Sequence, residues 1–166
     1  MVTLIIEDHV VVEDTAEADR LQQKGFGSKS GDTLELSLLE ALYLLEKGSL
    51  KLELNGRDAK AEDITSKITE KDFHLRYRVY TDLRERGYIV KTGFKFGAHF
   101  RVYDRGEYPK EHSKFLVHCV AETSTLTFPE LSRVVRLTEG VKKTLVFAVL
   151  DEEGAITYYT VNRITP

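Results

Sequence analysis

The stretch between Thr69 and Gly87 constrains this chain more than any other. From residue 70 to residue 86 it carries Phe73, Tyr77, Tyr80 and Leu83 at three- and four-residue spacing, the period that gathers side chains on one face of an α-helix. Thr69 suits the N-cap and Gly87 the stop. A helix with one apolar face must lie against a second layer, and the flanking sequence has to supply it. A length of 166 residues accommodates one large domain or two small ones. The boundary is expected just before the helix, giving an N-terminal domain over 1–68 and a C-terminal domain over 69–166.

The N-terminal part reads as a small α/β domain. Thr3–Ile6 and Val10–Glu13 are short β-rich runs on either side of Asp8-His9. Residues 15–24 read as a helix with Asp14 as N-cap and Gly25 as stop. Residues 25–31 loosely resemble a phosphate loop, but they lack the Gly-Lys-Ser/Thr ending and no helix follows directly, so they are read as a flexible connection. Ser37-Leu38-Leu39-Glu40 is a capping box that starts an apolar helix ending near Gly48. Leu50, Leu52 and Leu54 then alternate with Lys51 and Glu53 before an Asn55-Gly56 turn, and a polar helix is expected at about 60–67.

Beyond Gly87 the pattern is mixed α/β. Strands are expected at 88–91, 98–103, 114–122, 144–150 and 155–164, the first two joined through Gly93 and Gly97. A second capping box, Thr127-Phe128-Pro129-Glu130, opens a helix to about Thr138. The tight turn Asp151-Glu152-Glu153-Gly154 separates the last two strands. The expected fold class is therefore α+β, with a C-terminal nuclease-like domain built on a central mixed sheet.

Charge separates the two parts. Residues 1–68 hold 8 Lys and Arg against 14 Asp and Glu, a net of −6, whereas residues 69–166 hold 16 against 13, a net of +3. The total of −3 argues against a nucleic-acid binder, and the split by itself reads as two differently solvated faces. No apolar run is long enough to span a bilayer. The first residues lack the basic region and cleavage site of a signal peptide. The single cysteine, Cys119, builds neither an internal disulfide nor a cysteine zinc site, so a cytoplasmic setting is expected.

Among five histidines, His9 and His74 read as surface residues. His118 alternates with Leu116 and Val120 and reads as a hydrogen-bonded core histidine. No His-x-x-x-His or clustered carboxylate suggests a metal site, and there is no nucleophile elbow. His112 differs, because it lies in the polar loop Tyr108-Pro109-Lys110-Glu111-His112-Ser113 that feeds a strand. Tyr103 ends the preceding strand, so the two side chains can meet at one sheet edge.

Three ordered blocks carry a family resemblance. Gly93-Phe94-Lys95-Phe96-Gly97-Ala98-His99-Phe100-Arg101-Val102-Tyr103 resembles the Gly-x-Lys-Phe-Gly-x-x-Phe-x-x-Tyr segment of archaeal tRNA-splicing endonucleases. His112-Ser113 before a hydrophobic strand matches the next block, and Arg136-Leu137 with Val141-Lys142-Lys143-Thr144-Leu145 the third. The helix at 37–47 and the Arg84-x-x-Gly87-Tyr88 element extend the likeness over nearly the whole chain. The resemblance implies an endonuclease that excises introns from precursor tRNA, with Tyr103, His112 and Lys143 as the catalytic trio. It implies cleavage at bulges flanking a short RNA helix (a bulge-helix-bulge), with Arg136 stacking on a bulged base and Arg163 as a second such residue. Position 99 is histidine where the family commonly has aspartate. His99 alternates with Arg101 and Tyr103 and is read as covering the flank of the site. Lys142 and Lys143 would point to opposite faces of a strand, so only one faces His112.

These residue types suit RNA cleavage by the 2′-hydroxyl, a lyase-type reaction. Its attack on the adjacent phosphorus expels the 5′-oxygen of the next nucleotide, leaving 2′,3′-cyclic phosphate and 5′-hydroxyl ends. The step requires a base, an acid and a cation: Tyr103 with a cation from Lys143 or Arg101 nearby, His112, and Lys143. No metal or cofactor is called for. A metal-dependent nuclease would need an Asp…Glu/Asp-x-Lys arrangement on a strand pair, and Asp151-Glu152 falls in a turn instead. A non-catalytic structural subunit would be expected to have lost part of the trio. The resemblance also implies a homo-oligomer, a tetramer above all, in which Asp151, Glu152 and Glu153 dock into a basic cleft of a neighbouring subunit, and the last strand is expected to meet its symmetry mate.

Overall fold

Val10 and Val12 are fully buried while His9 and Val11 are partly exposed, the alternation of a strand covered on one face. They belong to β2 (His9–Val12), an inner strand of a four-stranded antiparallel sheet ordered β1-β2-β4-β3, in which β1 is Thr3–Ile6, β3 is Ser28–Ser30 and β4 is Thr33–Ser37. The computed structural model describes residues 3–93 and 97–166. Residues 94–96, the centre of the Gly93–Tyr103 motif, lie outside the described residues.

The chain divides into two units, Met1–Phe73 and His74–Pro166. In the first, α1 (Thr15–Gln23) and α2 (Leu38–Glu46) pack against the sheet and bury Ala18, Leu21, Leu39, Leu42 and Leu44 against Leu34 and Leu36. Both helices start where their caps dictate. Asp14 accepts the backbone N–H of Glu17 at 2.8 Å, and Ser37 and Glu40 exchange the two bonds of a capping box. The Glu40 carboxylate, 7% exposed, also accepts the N–H of Gly27 at 3.0 Å, tying the loop before β3 to the helix.

Three expectations for this unit are corrected. Residues 25–31 are not a flexible connection, since Ser28–Ser30 pairs with β4 as an edge strand. All three of its residues are exposed, so no apolar alternation marks it. Gly27, at φ +65°, brings its backbone so close to β4 that a Cβ would lie 2.7 Å from the Glu35 carbonyl oxygen. Second, the run from Leu50 to Leu54 is a strand only at β5 (Glu53–Leu54), which pairs with β6 (Arg57–Asp58) across Asn55 and Gly56, both at positive φ. Leu50 and Leu52 are buried but lie outside the strand, with the Leu52 carbonyl tied to the Ala59 N–H at 2.8 Å. Third, the polar helix is shorter, α3 (Ala61–Thr65).

In the second unit, α4 is Phe73–Glu85. The expected start at residue 70, with Thr69 as cap, is too early: residues 71 and 72 form a turn. Both are exposed and charged, so no apolar contact holds a helical turn there. Five strands follow: β7 (Ile89–Thr92), β8 (Phe100–Tyr103), β9 (Phe115–Ala121), β10 (Thr144–Leu150) and β11 (Ile156–Val161). They form one mixed sheet ordered β11-β10-β9-β8-β7, with β9 and β10 parallel and the other neighbours antiparallel. The parallel pair needs a crossover, and α5 (Phe128–Gly140) supplies it. The α5 capping box is formed: Thr127 caps the Glu130 N–H and Glu130 accepts the Thr127 N–H at 2.7 Å.

The two helices cover opposite faces. On one, Tyr80 of α4 packs on Phe100 with ring centroids 5.9 Å apart, and the hydroxyl of the half-buried Tyr158 donates to Asp82 at 2.6 Å. On the other, Val135 of α5 packs with Leu145 and Phe147, flanked by Val120, Val149 and Val161. The fold is mixed α/β with a central mixed sheet. Among the described residues no helix is long and apolar enough to cross a membrane.

Candidate active site

Sheet topology brings three separate segments to one end. β9 and β10 run parallel and β8 runs against them, so the last residue of β8, Tyr103, lies at the end of the sheet where β9 and β10 begin. The lead-ins carry Ser113 and Lys143. Backbone bonds splice them together: the Lys114 N–H donates to the Val102 carbonyl and the Thr144 N–H to the Lys114 carbonyl, both at 2.9 Å. These hydrogen bonds link segments far apart in sequence, and the candidate trio is distributed across them.

Tyr103 is 8% exposed and touches a guanidinium. Arg101 Nη1 donates to the Tyr103 hydroxyl oxygen at 3.2 Å, and its Nε donates to the Thr92 carbonyl at 3.2 Å. Lys143 is held at both ends. Its N–H donates to the Thr138 carbonyl at the end of α5, and its Nζ donates to the Ser113 carbonyl at 2.5 Å. Partial burial, and after it the positive charge of Arg101, hold its pKa below the ordinary lysine value. Arg101 thus acts on both Tyr103 and Lys143. His112 is exposed, adjacent in sequence to the Ser113 carbonyl that receives the Lys143 ammonium.

The two lysines differ for a reason other than strand alternation. β10 starts at Thr144, so both precede it. Lys142 has φ +56° and is exposed in the turn that ends α5, whereas Lys143 is drawn inward to Ser113. The left-handed turn residue, not a pleat, separates them.

Several contributing residues carried weak sequence signals or none. Tyr108 stands edge-on to Tyr103 with centroids 5.0 Å apart, and the Lys91 ammonium lies 5.6 Å from the Tyr108 ring centre. Asp104 binds Lys114 at 3.0 Å across the base of the loop that carries His112. That contact first, and the Arg105 N–H second, hold its carboxyl below the ordinary aspartate value. Alternation with Tyr103 placed Arg101 on the right face. Nothing local indicated Tyr108 or Lys91.

His99 lies four residues from Tyr103 along the chain, toward the other end of β8, on the order of 13 Å along a strand. Its Nδ1 accepts the Cys119 N–H at 2.9 Å and its own N–H donates to the Val117 carbonyl, so it extends the β8–β9 ladder by one side chain. Its ring packs edge-on to His118, 5.9 Å away, and His118 packs on Phe147 at 5.8 Å. Burial first, and His99 second, push the His118 pKa down to about 4. His74 is exposed, and His9 contacts Asp8 at 2.7 Å.

Arg136 is exposed on α5, 3.3 Å from the Ser132 hydroxyl, and Arg163 is exposed beyond β11. In the turn 151–154 the three acids are not equivalent. Asp151 accepts the Ala155 N–H at 2.9 Å and so shapes the turn, Arg78 of α4 donates to the Gly154 carbonyl at 2.7 Å, and Glu152 and Glu153 are exposed. Among the described residues no group of three or more His, Cys, Asp or Glu is arranged to hold a metal ion.

Comparison with known proteins matches both units. The family model for the tRNA intron endonuclease catalytic C-terminal domain matches residues 73–158, and that for the tRNA intron endonuclease N-terminal domain matches residues 1–65. A tRNA-splicing endonuclease of Methanothermobacter thermautotrophicus is 44% identical over 162 residues, covering 96% of this chain and 95% of that protein. One from Pyrococcus furiosus is 46% identical over 140 residues, covering 83% and 81%. A third, from Methanococcoides burtonii, is 40% identical over 166 residues, covering 96% of this chain and 47% of that longer protein. With family models covering both halves and a relative of similar length matched almost end to end, the chain belongs to the tRNA intron endonuclease family.

Proposed function

We propose that this chain excises introns from precursor tRNA, cutting at bulged splice sites by attack of the RNA 2′-hydroxyl, and that residues 69–166 form its catalytic domain. One observation carries the reading: the Tyr103 hydroxyl and the Lys143 ammonium share the neighbourhood of Arg101 at the sheet end where the His112 loop enters. Family membership supplies the RNA substrate. In the proposed step Tyr103 removes the 2′-hydroxyl proton and the 2′-oxygen bonds to phosphorus. The bond to the 5′-oxygen breaks, and His112 protonates that leaving oxygen. Lys143 compensates the negative charge that gathers on the phosphoryl oxygens in between. To take the 2′-hydroxyl proton, the Tyr103 oxygen enters the step deprotonated and leaves it as the neutral phenol. The products are a 2′,3′-cyclic phosphate and a 5′-hydroxyl, and no metal takes part.

Arg136 and Arg163, both exposed cations, are proposed to hold bulged bases by stacking. Glu152 and Glu153, with Asp151 shaping their turn, are proposed to dock on a second copy, giving a homo-oligomer with a tetramer as the favoured form. The purified chain should be incubated with an intron-containing precursor tRNA, and the cut sites mapped. Paired cuts at the intron boundaries are expected. Intact RNA after stoichiometric binding would contradict a catalytic role and favour a structural subunit.

A further inference from the structure

Arg101 lies outside the candidate trio, yet it bonds both to a member of it and to the neighbouring strand. Its Nη1 reaches the Tyr103 hydroxyl at 3.2 Å, its Nε is fixed by the Thr92 carbonyl of the neighbouring strand at 3.2 Å, and its guanidinium carbon lies 5.9 Å from the Tyr103 ring centre. We propose that Arg101 is a positioning residue for cleavage, orienting the Tyr103 hydroxyl through a hydrogen bond while the Thr92 carbonyl holds the guanidinium in place. The proposal rests on the cleavage reading above and adds a residue to it.

The geometry supports a role through Tyr103 rather than a direct grip on RNA. The Tyr103 hydroxyl can donate one proton and accept from others. With Arg101 donating to its oxygen, its own proton is free to point elsewhere, and a proton-accepting form of the oxygen meets a charged donor already in place. Two donors of one planar group are committed at once, to Thr92 and to Tyr103, which locks the group as a lysine cannot. The guanidinium is also the positive charge that acts on Lys143, so its removal changes a second member of the trio in a known direction: the Lys143 pKa rises toward the ordinary lysine value.

The test uses the full chain, wild type and carrying Arg101→Gln, Arg101→Lys, Tyr103→Phe, or Arg101→Gln with Tyr103→Phe. Single-turnover cleavage of precursor tRNA is measured across pH. Affinity is measured on the same RNA carrying 2′-deoxy nucleotides at the cut sites. Arg101→Gln is expected to slow cleavage by at least about tenfold, the scale on which a misplaced reacting group acts, with affinity changed by less than about threefold. In the Tyr103→Phe background the same change should cost less than about twofold, because the hydroxyl through which Arg101 acts is gone. The alkaline fall of the rate should move to higher pH in Arg101→Gln, and Arg101→Lys should restore its position but only part of the rate. If Arg101→Gln does not fold, as judged by circular dichroism, Arg101→Lys and its double variant with Tyr103→Phe carry the same comparison. Lost affinity with an unchanged rate would make Arg101 a phosphate contact and overturn the inference, as would full additivity with Tyr103→Phe. A wild-type chain that does not cut, or a Tyr103→Phe chain that cuts normally, would overturn the cleavage reading itself. A Tyr103→Phe defect without an Arg101→Gln defect would overturn this inference alone.

Discussion

Replacing His118 by phenylalanine removes a proton-binding group from the sheet face covered by α5. The ring packs between His99 and Phe147, and phenylalanine retains the aromatic volume. An ordinary histidine binds a proton near 6.5, and His118 in the folded chain only near about 4. The folded pKa is the depressed one, so acid favours the unfolded chain. Stability contributed at this position is intact above about pH 6.5, is lost as pH falls through the window to about 4, and changes no further below it. At roughly 1.4 kcal/mol per pH unit the window sets a ceiling of about 3 kcal/mol, and because water still reaches part of the ring we expect ~2 kcal/mol. For a chain of this size that corresponds to ~4–8 °C in Tm. Thermal unfolding followed by circular dichroism from about pH 7 to about pH 4 should show the wild type losing that much more stability than His118→Phe. Parallel curves across the window would refute the assignment of acid sensitivity to this ring.

Lys143→Ala should reduce the cleavage rate by ~100-fold or more, the scale of losing a charge that compensates a transition-state oxyanion, while Lys142→Ala stays close to wild type. The reverse pattern in single-turnover kinetics would mean the wrong lysine has been assigned. His112→Ala should likewise lose rate with folding and RNA affinity retained, as read by circular dichroism and gel shift. Changing Glu152 and Glu153 to serine leaves the Asp151 bond that shapes their turn, and light scattering should then report a smaller particle, with high salt alone weakening the wild-type assembly. Unchanged mass and full cleavage would remove the turn from assembly.

Local signals in the sequence hold where they are self-contained. Thr127 and Glu130 satisfy each other within four residues, so α5 begins where its capping box says; Asp14 and Ser37 do the same for α1 and α2. Signals failed where a partner strand decides. Ser28–Ser30 is a strand only because β4 lies beside it, and its exposed residues leave no apolar trace. Leu50 and Leu52 show the converse, an alternation of burial that lies outside the short strand. The candidate trio was legible by family likeness, but its assembly was not, because it depends on β9 and β10 running parallel with β8 opposed. Arg101 shows the limit most clearly. Alternation put it on the face of Tyr103, yet only the fold shows that its second donor is held by Thr92 on the next strand.

Cleavage of a precursor tRNA with a single 2′-deoxy nucleotide at each cut site, in excess chelator, tests the central claim most directly. The account predicts complete loss of cutting on that RNA, and on the unmodified RNA undiminished cutting with 2′,3′-cyclic phosphate and 5′-hydroxyl ends. Continued cutting of the deoxy substrate would make water the nucleophile and contradict the roles given to Tyr103, His112 and Lys143.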